Sequence, residues 1–132
     1  MKVIKDKRFG EERALYNLSD TKVLDSRFEG EEDGESALKE ASNIELENVF
    51  MDLRYPLWHV DNAVLENVCM TENCRAAIWY SKGFKINNSI LGGIKAVREC
   101  SNINISNSKI NSLEFGWKSS NINVVNSDII GE

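Results

Sequence analysis

The side chains able to do chemistry fall into two adjacent columns. Tyr16, Lys39, Trp58, Trp79, Arg98 and Trp117 recur about every twenty residues, and one position later come Asn17, Glu40, His59, Tyr80, Glu99 and Lys118. All three tryptophans share the first column. Aromatic faces bind sugar rings and arginine flanked by tryptophan makes cation–π contacts, so an outward ladder of this kind suits a saccharide-like or anionic ligand. Its binding residues are Lys39, Trp58, Trp79, Arg98 and Trp117, joined by Arg54, Arg75 and Lys95 a few residues upstream as a basic strip for a carboxylated or phosphorylated group. The second column supplies proton-handling groups, with His59, Tyr80, Glu99 and Lys118 the candidate reacting residues. Neighbouring repeats should bring Glu40 to His59 and Glu99 to Lys118. Each feature also has a purely structural account: the ladder stacks on itself, the polar column forms ion pairs, and the basic strip neutralises Glu35, Glu40, Glu99 and Glu114.

Other chemistries find little support. Cys69, Cys74 and Cys100 are an odd number of cysteines in a chain with a charged start, which points to free thiols, and with His59 they have no zinc spacing. The loop Glu29 to Glu35 holds five acids but lacks the alternating pattern of a Ca²⁺ loop. No glycine-rich phosphate loop is present, and no metal or cofactor is expected. A net charge of −5 without a Lys/Arg run argues against nucleic acid. No apolar stretch approaches the ~18 residues of a membrane span, so the expected setting is cytoplasmic.

The elements that position these columns are set by an internal repeat. Asp25, Asn48, Asn67, Asn88, Asn107 and Asn126 stand at spacings of 23, 19, 21, 19 and 19 residues. Two residues before each lies Val23, Leu46, Leu65, Ile86, Ile105 or Val124, and three after it Phe28, Met51, Met70, Leu91, Ile110 or Ile129. Ten before it are Leu15, Leu38, Leu57, Ile78, Val97 and Gly116. Alternation at spacing two in short runs means strands, and a unit of roughly twenty residues buries its apolar face only by stacking on copies of itself. The predicted fold is all-β: a single-stranded right-handed parallel β-helix of about six coils, residues 1–132 forming one domain. Stacked asparagines should form an amide ladder. Residues 1–8 are expected to cap the first coil. Nothing after Ile129 caps the last, which makes that end either a cut point or the contact of a homodimer.

The segments Gly34-Glu35-Ser36-Ala37-Leu38-Lys39-Glu40-Ala41, Leu53-Arg54-Tyr55-Pro56-Leu57-Trp58-His59 and Cys74-Arg75-Ala76-Ala77-Ile78-Trp79-Tyr80 resemble the bacterial family known as domain of unknown function 3737. So do Gly92-Gly93-Ile94-Lys95-Ala96-Val97-Arg98-Glu99-Cys100 and Glu114-Phe115-Gly116-Trp117-Lys118. The resemblance implies a pectin-lyase-like right-handed β-helix with further coils beyond this chain, and it carries no established reaction. That wider superfamily includes polysaccharide lyases and hydrolases, an analogy of fold alone. Two functions from different classes follow. One is a binding protein, with or without carbohydrate processing; the other is an assembly module that oligomerises through its last coil and keeps the ladder for internal stabilisation.

Overall fold

The computed structural model describes residues 1–30 and 34–131. Its strands are β1 (Lys2–Lys5), β2 (Arg8–Phe9), β3 (Ser19–Phe28), β4 (Ser42–Met51), β5 (Leu57–Trp58), β6 (Asp61–Met70), β7 (Ile78–Trp79), β8 (Lys82–Asn87), β9 (Ile90–Gly92), β10 (Val97–Arg98), β11 (Ser101–Ser106), β12 (Lys109–Asn111), β13 (Ser120–Val125) and β14 (Asp128–Ile130). Strands β1, β3, β4, β6, β8, β11 and β13 lie side by side in that order, with β2, β9, β12 and β14 continuing the same sheet past a bend. A second, narrow sheet runs β5, β7, β10. The pairings β3 with β4, β4 with β6, and β5 with β7 are all parallel. The molecule is a parallel β-solenoid of about 7 turns with ~19-residue spacing. Among the described residues the one helical element is the 3₁₀ turn Glu72–Cys74, and no helix is long and apolar enough to cross a membrane.

The count of turns exceeds the six expected because the N-terminal segment is itself a rung. Lys2 to Lys5 run in register with Thr21 to Leu24, and Arg8 and Phe9 with Arg27 and Phe28. Its charges conceal a strand because only Ile4 packs onto the core from β1, while Phe9 stacks on Phe28 at 5.1 Å.

Register turns the sequence columns into stacks. Val23, Leu46, Leu65, Ile86 and Ile105 lie one above another and are all buried. Leu38, Leu57, Ile78 and Val97 fill the opposite wall of the same core. Each such side chain contributes about 1.5–3 kcal/mol by leaving water, and no coil has enough of them to stand alone.

The corners follow from backbone sterics. Asp20, Asn43, Asn62, Gly83, Asn102 and Asn121 take positive φ at one bend, and Asp25, Asn48, Asn67, Asn88, Asn107 and Asn126 at another. Glycine, asparagine and aspartate are the residues that tolerate the left-handed region, so the asparagine phase is first a bend requirement. The amide ladder is present but interrupted. Asn48 donates to Asp25 at 3.0 Å and Asn67 to Asn48, whereas Asn88 turns to Glu66 and Asn107 to Asn87. Inward serines serve the backbone the bend leaves unpaired. Ser89 Oγ accepts from Val68 N–H and Ser108 Oγ from Ser89 N–H, at 3.1 and 3.0 Å.

Candidate functional site

The tryptophan column faces outward and is half-buried, because its neighbours Leu57, Ile78 and Val97 point into the core and strand alternation reverses the next side chain. Trp58 and Trp79 stack with ring centroids 4.9 Å apart and planes 9° from parallel. Arg98 lies over Trp79 at 4.3 Å and over Trp117 at 5.1 Å, and Lys39 Nζ lies over the Trp58 ring at 4.4 Å. Five successive members of the column, Lys39 to Trp117, thus stack in one continuous run. Tyr55 closes on the Trp79 edge at 5.2 Å.

The polar column sits at a third bend, where Asn17, Glu40, His59, Tyr80, Glu99 and Lys118 all have φ between 49° and 65°. Each main chain is held by the coil above: His59 N–H donates to the Trp79 carbonyl at 2.8 Å, Tyr80 N–H to Arg98 at 3.0 Å and Glu99 N–H to Trp117 at 2.8 Å. The bend throws these side chains outward, which resolves the burial that strict alternation would have imposed. Unlike the asparagine bends, this one is occupied at Glu40, Tyr80, Glu99 and Lys118 by residues for which the left-handed region is unfavourable, at roughly 1–2 kcal/mol each, a cost shared by the positive-φ positions Arg13, Ser36, Tyr55 and Arg75.

Beside this bend lies an open cleft of about 720 Å³. Its walls include Lys39, Glu40, Trp58, His59, Tyr80 and Glu99. Asp61 and Lys82 complete the rim, with Ser42 and Ser101. These four form one further column, Ser42, Asp61, Lys82, Ser101, in register at the start of the long strands. Sequence reasoning passed over it, although its signal was a polar residue two positions after each member of the proton-handling column.

His59 Nδ1 lies 2.9 Å from both Glu40 carboxylate oxygens, as the spacing predicted. Glu99 is engaged differently from expectation. Trp79 Nε1 donates to it at 3.4 Å, Arg98 Nε stands 3.2 Å away and the Tyr80 hydroxyl donates to it, while Lys118 lies over the Trp117 ring at 4.6 Å and acts on Glu99 only through its charge. Desolvation pushes the Glu99 carboxyl up, but the Tyr80 and Trp79 hydrogen bonds with the Arg98 and Lys118 charges outweigh it and hold the group below the ordinary glutamate range. The same hydrogen bond to Glu99 raises the Tyr80 phenol. Glu40 and Glu99 share the column three coils apart, about 14 Å at about 4.8 Å per coil, beyond the ~5–9.5 Å of glycosidase carboxylate pairs.

Of the basic strip, Lys95 and Arg54 stay against the aromatic ladder, over the Trp117 ring at 5.0 Å and the Tyr55 ring at 5.6 Å. Arg54 pairs with Glu35 at 3.4 Å and Lys95 with Glu114 at 2.8 Å. Arg75 lies in a separate groove with Glu72, Asn73 and Ile94. The cysteines are free and no cluster of three or more metal-ligating groups occurs among the described residues. Burial pushes the Cys74 thiol up to about 12 and Cys100 to about 11. Of the acidic loop, Glu31, Glu32 and Asp33 lie outside the described residues; Glu29 pairs with Arg27.

Fold and cleft together define a parallel β-solenoid with a polar cleft along one bend of its coils. The chain belongs to the family described as Protein of unknown function (DUF3737), which it matches over residues 2–132. No curated protein and no solved structure gives a significant match.

Proposed function

We propose that this protein binds a saccharide-like or anionic small ligand in the cleft along the polar bend, with the tryptophan and cation stack serving as the spine that holds the cleft open. The observation that carries this reading is the occupancy of the bend. Two bends of each coil use asparagine, aspartate or glycine at positive φ; of the two that do not, Arg13, Ser36, Tyr55 and Arg75 occupy one, while Glu40, His59, Tyr80, Glu99 and Lys118 occupy the one beside the cleft. Strained backbone concentrates where side chains are kept for a task other than folding, and Glu40, His59, Tyr80 and Glu99 border a cleft inside the ~300–1,000 Å³ range of small-ligand sites. The ladder favours the stabilising role, since the faces that would receive a sugar are filled by Lys39, Trp58, Trp79 and Arg98.

Intrinsic fluorescence tests the reading, because Trp58 lines the cleft and Trp79 contacts Tyr80. Titration with a panel of oligosaccharides, uronates and sugar phosphates should give a saturable change for at least one class. Silence across the panel overturns the proposal.

A further inference from the structure

The charges facing the cleft already have partners. His59 lies 2.9 Å from Glu40, Lys82 Nζ 4.0 Å from Asp61 and Arg98 3.2 Å from Glu99, while Lys39 sits 4.4 Å above the Trp58 ring. An anionic ligand would meet three carboxylates whose cations are engaged, and would give up its own hydration to reach them. A hydroxyl-rich neutral ligand meets the opposite situation. Each carboxylate retains lone pairs that accept from vicinal hydroxyls.

Apolar contact points the same way. The Trp58 and Trp79 faces are covered, but Tyr80 is 47% exposed and leans on Trp79 with centroids 5.5 Å apart and planes 14° from parallel. Its free side is an aromatic platform beside the carboxylates, the pairing of apolar surface and hydrogen-bond acceptors that a pyranose ring presents in complement. Glu40, His59, Tyr80 and Glu99 come from four successive coils, a run of about 14 Å at about 4.8 Å per coil, longer than a single sugar ring.

We infer that the ligand class of this cleft is a short neutral oligosaccharide rather than a uronate or a sugar phosphate. This rests on the binding reading above and narrows it. Hydrogen bonds to ionised carboxylates supply the recognition, and the Glu99 carboxyl, held below its ordinary range, stays ionised through the neutral pH region.

Matched ligands separate the inference from the reading beneath it. Calorimetric titration of the full chain with galactose oligomers and with galacturonate oligomers of equal length should show the neutral series binding at least about tenfold more tightly. Its affinity should change little between low and high salt. In the doubly neutralised Glu40→Gln, Asp61→Asn variant, whose changes fall on the cleft rim, galacturonate affinity should rise toward that of the neutral series. Equal or tighter galacturonate binding by the unaltered protein overturns the inference and leaves the binding reading standing. Parallel titrations with glucose, mannose and xylose oligomers cover neutral sugars of other stereochemistry. Absence of binding in every series, charged and neutral, overturns both.

Discussion

Removal of the stacked tryptophans separates a spine from a ligand platform. Trp79 touches Trp58 at 4.9 Å, Arg98 at 4.3 Å and the ring of Tyr55 at 5.2 Å. A fully buried tryptophan costs about 3–5 kcal/mol when cut to alanine, and Trp79 is half-buried, so Trp79→Ala should cost about 2–4 kcal/mol. The stacked pair accounts for ~0.5–1.5 kcal/mol of that beyond area, and the Arg98 contact for ~0.5–1 kcal/mol. A double-mutant cycle with Trp58→Ala isolates the ring pair, and its coupling energy should fall at about 0.5–1.5 kcal/mol. Equilibrium urea unfolding followed by far-UV circular dichroism reads both quantities, provided the denaturant slope is unchanged. If each single variant costs less than about 0.5 kcal/mol and the two add within about 0.3 kcal/mol, the stack carries no stability and the tryptophans are kept for something else.

Three other perturbations follow. The raised Tyr80 phenol should titrate above the ordinary tyrosine range in ultraviolet difference spectra, and Glu99→Gln should bring it back down; an unchanged titration would disprove the hydrogen bond. Since Glu99 is depressed in the folded protein, its stabilising contribution is present above the unfolded-state value and is lost as pH falls through the folded one, so Glu99→Gln should flatten the acid limb of the stability curve. Burial pushes all three thiols up, so a thiol reagent at neutral pH should label the half-buried Cys69 slowly and spare Cys74 and Cys100 until the chain unfolds. Rapid labelling of all three in the folded protein would contradict the packing. His59→Gly removes an exposed side chain from a left-handed position and should hold or raise stability, by up to about 1 kcal/mol, while weakening ligand binding. A loss above about 1 kcal/mol would make that bend structural.

Period-two alternation made the core columns and the outward face of Trp58, Trp79 and Arg98 legible, because inward apolar and outward polar demands repeat identically in each coil. The first rung was hidden by Lys2 and Lys5, which face solvent while Ile4 alone marks the core side from that strand. The bend at Glu40, His59, Tyr80 and Glu99 was legible as a polar column but not as left-handed backbone, since glutamate and tyrosine carry no signature for positive φ. The partner of Glu99 was misjudged for a geometric reason. Same-column spacing suggested Lys118, but the Trp117 face draws that ammonium to 4.6 Å, and the Tyr80 hydroxyl and Trp79 ring nitrogen take the carboxylate. Asp61 and Lys82 were missed because recognition of a cleft requires knowing that two columns flank one bend.

The most direct test of the central claim is an amide chemical-shift map of the protein titrated with the best-binding oligosaccharide of the panel. Perturbations should cluster at Lys39 to Ser42, Trp58 to Asp61 and Tyr80 to Lys82, with the amide-rich face around Asn104 and Asn123 unmoved. No perturbation, or one centred on that face or on the Arg75 groove, would contradict a ligand site at the polar bend.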